Sequence, residues 1–179
     1  MKELEELKER MATQRPERWD QLPDLALYMD QLISYMPRQL IRFEEGDALT
    51  AAMVNNYIKD GLMPRAEGKR YGKEHLARLT AICALKNVIS MREMGVLFGS
   101  IDAGGEIRAR YELLLQELDR ALGKVADPLD AQVGQEALAP LALSLALDSY
   151  ASKLACQRVL SMMEEQEQDS QPGESKKKK

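Results

Sequence analysis

Gly61, in the run Met53-Val54-Asn55-Asn56-Tyr57-Ile58-Lys59-Asp60-Gly61-Leu62-Met63-Pro64, is the point that most constrains the fold. Upstream, Val54 with Ile58 and Met53 with Tyr57 recur four apart, the spacing of one side of a helix. Thr50 stands where its hydroxyl can cap that helix by accepting from an amide one turn later. Glycine then ends it, because it enters the left-handed region without a Cβ penalty. From Leu62 to Tyr71 the chain is expected to form a loop or small hairpin around Pro64 and Gly68. A second helix is expected over 73–87, with Leu76, Leu79, Ile82, Cys83 and Leu85 apolar. A third starts at Ser90, with Glu93 three residues on as in a capping box, and runs through Phe98. The order between 50 and 98 is therefore helix, cationic loop, helix, helix.

The flanking segments also read as helices. Residues 3–11 form a charged helix closed by Arg15-Pro16, and Trp19 reads as an anchor for it. Asp20-Gln21-Leu22-Pro23 looks like a helix start, after which Leu22, Leu25, Met29, Leu32 and Met36 recur at spacings of three and four. Pro37 interrupts that stripe by removing an amide donor. Leu40, Ile41 and Phe43 make a further short apolar piece, and Glu44-Glu45-Gly46-Asp47 a loop. Beyond Gly104-Gly105, a helix over 106–123 places Ile107, Tyr111, Leu114, Leu115 and Leu118 on one side, and Asp127-Pro128 breaks it. Over 135–166 Leu141, Leu143, Leu145 and Leu147 alternate as in a strand, but the alanines and the length favour a helix. The polar end, with Pro172-Gly173 and four lysines, is expected to be disordered. These readings divide the chain into an N-terminal arm (1–20), a central module (21–102), a C-terminal helical bundle or dimerisation region (103–168) and a tail (169–179).

Several function classes find no residues here. Neither a glycine-rich phosphate loop, a serine elbow, a paired-carboxylate site nor an HExxH is present, so the chain is not expected to be an enzyme or to carry a cofactor. His75 is the single histidine, and its place in a helical first turn reads as a surface position. With Cys83 and Cys156 far apart among apolar residues, these are buried structural thiols rather than metal ligands. No apolar run is long enough to span a bilayer, and the first ten residues lack the apolar stretch of a signal peptide, so the expected location is cytoplasmic.

The net charge of −4 is unevenly spread. Residues 50–80 hold six basic and three acidic side chains, whereas 1–49 carry −4 and 81–175 carry −7. Such a basic island suits a protein that meets an anion with one face. If Met53, Val54, Tyr57 and Ile58 face inward, Asn55, Asn56 and Lys59 are left outward. A carboxamide can donate and accept together, matching the major-groove edge of adenine. Paired asparagines are also poor helix formers, so their place in a helix carries a cost that a solvated face does not explain. On the loop, Arg65, Lys69 and Arg70 can hold phosphates. Tyr71 has two readings, a phosphate donor or an anchor beneath the loop.

Tyr57, Gly61, Leu62, Pro64, Lys69, Arg70, Tyr71, Leu76 and Leu79 fall on a pattern that resembles the DNA-binding domain of the MerR family of bacterial transcription regulators. The stretch from Leu22-Pro23-Asp24-Leu25 through Val88 is more similar still to an uncharacterised bacterial domain family described as MerR-like. The MerR family uses an arginine and an aromatic where Asn55 and Asn56 stand here. A helix-turn-helix also allows fewer residues than the stretch 37–49 supplies, unless 38–43 is the first helix of the pair. The resemblance implies a mostly α fold: a MerR-like winged helix-turn-helix with an N-terminal helix and a C-terminal helical extension. It implies a transcriptional regulator that reads double-stranded DNA with helix 50–60 and wing 62–71, as a homodimer, with an effector of unknown identity. A protein-interaction or ligand-sensing module on the same scaffold, without DNA readout, is the alternative.

Overall fold

The computed structural model describes residues 2–41 and 48–169, with side chains up to 166. Among the described residues seven α-helices carry the fold: α1 (Lys2–Thr13), α2 (Met29–Tyr35), α3 (Ala51–Lys59), α4 (Lys73–Leu85), α5 (Met91–Asp102), α6 (Ile107–Ala126) and α7 (Leu138–Asp169). Among the described residues no strand forms, and the β content is two isolated antiparallel bridges. The all-helical expectation holds. A wing built of paired strands is not formed.

The core follows from the inward positions of α2 to α5. Leu32, Val54, Leu76, Leu79, Ile82 and Met94 are fully buried, and Tyr111 of α6 and Leu160 of α7 join the same apolar cluster as Leu22. A buried aliphatic side chain contributes roughly 1.5–3 kcal/mol relative to leaving it in water, so these positions hold α2–α5 together. Cys83 and Cys156 are half-buried, packed against this cluster and not joined in a disulfide, and no group of residues suited to a metal ion occurs among the described residues. No described helix is long and apolar enough to cross a membrane. Trp19 sits in a 3-10 turn with its ring 6.1 Å from that of Tyr111, which ties the N-terminal arm to α6 as expected of an anchor. Lys8 Nζ donates to the Leu129 carbonyl at 2.6 Å, and Arg15 pairs with Asp119, so α1 is held along α6 and its C-terminal loop.

The apolar stripe from Leu22 to Met36 does not form one helix. Leu22 is buried after a 3-10 turn, Leu25 is 82% exposed, and helix begins only at Met29. The reason is that Leu27 exchanges both backbone hydrogen bonds with Tyr71, at 2.9 and 2.8 Å, which an α-helix would not permit. Gln31 then accepts from the Tyr28 amide and starts α2. Tyr35 ends it, and Pro37 sits in the 3-10 turn Met36–Arg38 that follows. Residues 38–41 are not α-helical, and the remainder of the proposed partner helix over 38–43, with the loop 44–47, lies outside the described residues. So does the tail after Asp169.

The alternation of Leu141, Leu143, Leu145 and Leu147 resolves as helix, within α7. Alanine and leucine favour that state, and the described residues hold no strand for it to pair with. Ser90 and Glu93 close the expected capping box: the Glu93 amide donates to Ser90 Oγ at 3.2 Å and the Ser90 amide to the Glu93 carboxylate at 2.7 Å.

Candidate nucleic-acid interface

Helix α3 is short and is fixed at both ends. At its start the Met53 amide donates to Thr50 Oγ1 at 3.2 Å. At its end Gly61 adopts φ +74°, the Leu62 amide donates to the Tyr57 carbonyl, and the Gly61 amide donates to the Ile58 carbonyl. Those two bonds are the Schellman closure, which needs a residue tolerant of the left-handed region at the glycine position. With Val54 and Tyr57 buried, Asn55, Asn56 and Lys59 are exposed together on the opposite face. Burial pushes the Tyr57 hydroxyl above its ordinary pKa, as expected for a phenol turned into the core.

Beyond Gly61, Leu62 and Met63 are buried and the chain turns out through Pro64. Glu67 and Arg70 exchange backbone hydrogen bonds at 3.1 and 3.0 Å around a two-residue turn. Its central residues, Gly68 and Lys69, have φ +56° and +65°. Two successive positive φ values make a type I′ turn, the tight reversal of a hairpin. The loop is thus a hairpin tip without ladders, and the cationic residues Arg65, Lys69 and Arg70 lie exposed on it. No described carboxylate pairs with Lys59, Arg65 or Lys69.

Segment 24–28 completes this hairpin, a feature the sequence reading placed in a helix. Leu27 bridges Tyr71, the Arg70 guanidinium stacks 4.8 Å over the Tyr28 ring and donates to its hydroxyl at 2.9 Å, and Lys73 pairs with Asp24 at 2.7 Å. Arg70 is therefore oriented by Tyr28, while Lys73, basic in the sequence tally, is neutralised. Of the two readings of Tyr71, the anchoring one fits: its side chain is buried and meets His75 edge-on at 5.3 Å.

His75 was expected at the surface and is buried instead. Its Nδ1 accepts from the Gly72 amide at 3.1 Å, and its Nε2 lies 3.1 Å from the Arg65 carbonyl. An amide can only donate and a carbonyl only accept, so the neutral ring with its proton on Nε2 satisfies both. The imidazole clasps the basic loop between Arg65 and Gly72. One sequence signal could have found it: a histidine three residues after Gly72 is placed to cap the helix that glycine precedes.

The arrangement is a helical domain that presents two outward carboxamides on a capped helix, followed by a clasped cationic turn. The chain belongs to the DUF1836 family, a domain of unknown function, whose model matches residues 17–113. That match covers α2 to α5, the whole candidate surface and the first residues of α6. No curated protein and no solved structure matches the chain.

Proposed function

We propose that this chain is a DNA-binding transcriptional regulator of the MerR-like winged-helix type, with α3 as the reading helix and loop 62–71 as a reduced wing. One observation carries the reading: Asn55, Asn56 and Lys59 share the exposed side of α3, and a rigidly closed turn sets exposed Arg65, Lys69 and Arg70 directly after it. The two carboxamides address base edges, and Lys59, Arg65, Lys69 and Arg70 hold the backbone. The duplex meets a second copy's surface as well, through a dimer built on α7.

Selection of bound duplexes from a random pool tests this, followed by affinity measurements at two salt concentrations. Four phosphate contacts per protomer, eight in the dimer, correspond to a loss of roughly ten-thousandfold between about 50 and 200 mM salt. Lys69→Glu together with Arg70→Glu abolishes binding. No enrichment from the pool, or equal affinity of the doubly reversed variant, sinks the reading. A second reading, a protein-interaction module on the same scaffold, is favoured by the −7 carried by residues 81–175, which repels a duplex extending beyond the basic island. Enrichment of a specific duplex separates the two.

A further inference from the structure

A cavity of about 240 Å³ lies between α4, α5 and α6, away from the α3 face. Ala81, Leu85, Leu97, Phe98, Ile101 and Leu114 give it an apolar wall. An apolar cavity of roughly 150 Å³ already holds a benzene ring, so this one takes a ring with a short chain attached.

The lining also holds four charged side chains, Arg78, Arg110, Asp102 and Glu117. Arg78 and Arg110 both donate to the carboxylate of Asp102, Arg78 at 2.6 Å to each oxygen, and the Arg78 guanidinium stacks 4.5 Å from the Phe98 ring centre. Two guanidiniums thus share one carboxylate. The other acid of the lining, Glu117, is taken by Arg120 at 2.6 Å. Counted with Arg120, which lies outside the lining, three guanidiniums stand against two carboxylates. The Arg110 Nε–H is in addition buried with no hydrogen-bond partner. A buried charged donor left unpaired is costly, and an anionic acceptor supplied from outside removes that cost.

We infer that this cavity binds a small apolar monocarboxylate, its ring or branched chain among Leu85, Leu97 and Leu114 and its carboxylate on Arg110. Nothing in this inference depends on nucleic-acid binding.

Calorimetric titration of the full chain with hydrocinnamate, its amide and toluene tests it. Trp19 offers a parallel fluorescence readout, because it is the chain's single tryptophan and its ring lies tilted 6.1 Å from that of Tyr111, a residue of the cavity wall. The carboxylate binds one per chain and roughly tenfold or more tighter than the amide, the factor one charge-assisted hydrogen bond supplies. Arg110→Met removes that discrimination and keeps the weak binding of toluene. Ala81→Phe fills the cavity and abolishes binding of all three. Should that buried substitution prevent folding, Leu113→Trp closes the cavity from a half-exposed position of α6. The inference is overturned by equal affinity for carboxylate and amide, by no binding of any probe up to millimolar concentration, or by a folded plug variant that binds like the parent.

Discussion

The Nε2–H of His75 points at the Arg65 carbonyl 3.1 Å away, ten residues back along the chain, while the same ring's Nδ1 accepts from the Gly72 amide. One side chain therefore ties the middle of the basic loop to the start of α4. The Tyr71 ring packs edge-on against the imidazole, and both side chains are buried. Replacing His75 by alanine strands a buried carbonyl and an amide. The expected cost is about 1–3 kcal/mol in chemical denaturation. Limited trypsin digestion of the variant should cut first at Arg65, Lys69 or Arg70, since these lie on the freed loop. Unaltered cleavage kinetics would show that the loop is held by something else.

Lys69 occupies the left-handed region at φ +65°, where a side chain costs roughly 1–2 kcal/mol. Lys69→Gly removes that strain but adds backbone entropy of about 0.5–1 kcal/mol, so the melting temperature moves little. The same substitution deletes a phosphate-directed cation. Under the proposed function, duplex affinity falls and the salt slope drops by about one unit per protomer, at nearly constant stability. A large stability change with unaltered affinity would place Lys69 in the architecture alone.

Burial pushes the hydroxyl of Tyr111 up to about 12, and burial together with the adjacent Glu17 carboxylate raises that of Tyr35 further. In the unfolded chain both ionise near 10, so the native state binds more protons between those values. Stability is therefore complete below about 10 and declines as pH climbs toward about 12. Alkaline titration followed by tyrosinate absorbance should show some of the six tyrosines ionising together with loss of helix rather than before it. Ionisation of all six ahead of unfolding would contradict the buried positions of Tyr111 and Tyr57.

The elements that local chemistry dictates were readable. Thr50, Gly61, Ser90 with Glu93 and Asp127-Pro128 mark helix ends through bonds or backbone angles reaching only a few residues, and each stands where the structure places it. The exposed set Asn55, Asn56 and Lys59 followed from the same short-range period. What was not readable depends on pairing across sequence. Leu27 bonds to Tyr71, Arg70 stacks on Tyr28 and His75 reaches Arg65. The stripe from Leu22 to Met36 satisfied a helical period while its backbone was committed elsewhere. Spacing alone carries no record of that commitment.

The Ser90–Glu93 box also joins two helices, because the Gln157 amide donates to Glu93 from α7 at 3.2 Å. Hydrogen bonds from the Ser90 backbone and hydroxyl hold the Glu93 carboxyl below its ordinary pKa. A depressed folded-state value means stabilisation that is present at neutral pH and lost as pH falls through that value. Ser90→Ala should cost about 1 kcal/mol, and Glu93→Gln should flatten the acid side of the stability profile. A Glu93→Gln profile that parallels the parent in acid would rule out this contribution.

Residues 138–155 of α7 carry Asp148 and Lys153 as their only charges, yet Leu143, Leu147, Tyr150 and Leu154 are each more than half exposed. Their spacing of four, three and four makes a straight seam along the helix, the pattern that packs against another helix. The part of α7 that meets α5 and the core lies further on, around Cys156, Leu160 and Met163, and turns a different side inward. A helix this apolar does not stand free in water without a covering surface. Pairing of two α7 seams in the proposed dimer supplies one. Sedimentation should then give a dimer at micromolar concentration, and Leu147→Glu with Leu154→Glu a monomer of unchanged helicity, because these side chains are more than half exposed and are not members of the core cluster. Two buried carboxylates facing their symmetry mates are sufficient to undo so short an interface. A parent protein that sediments as a monomer, or a double variant that remains dimeric, removes the seam from the proposal and leaves duplex binding to a single copy.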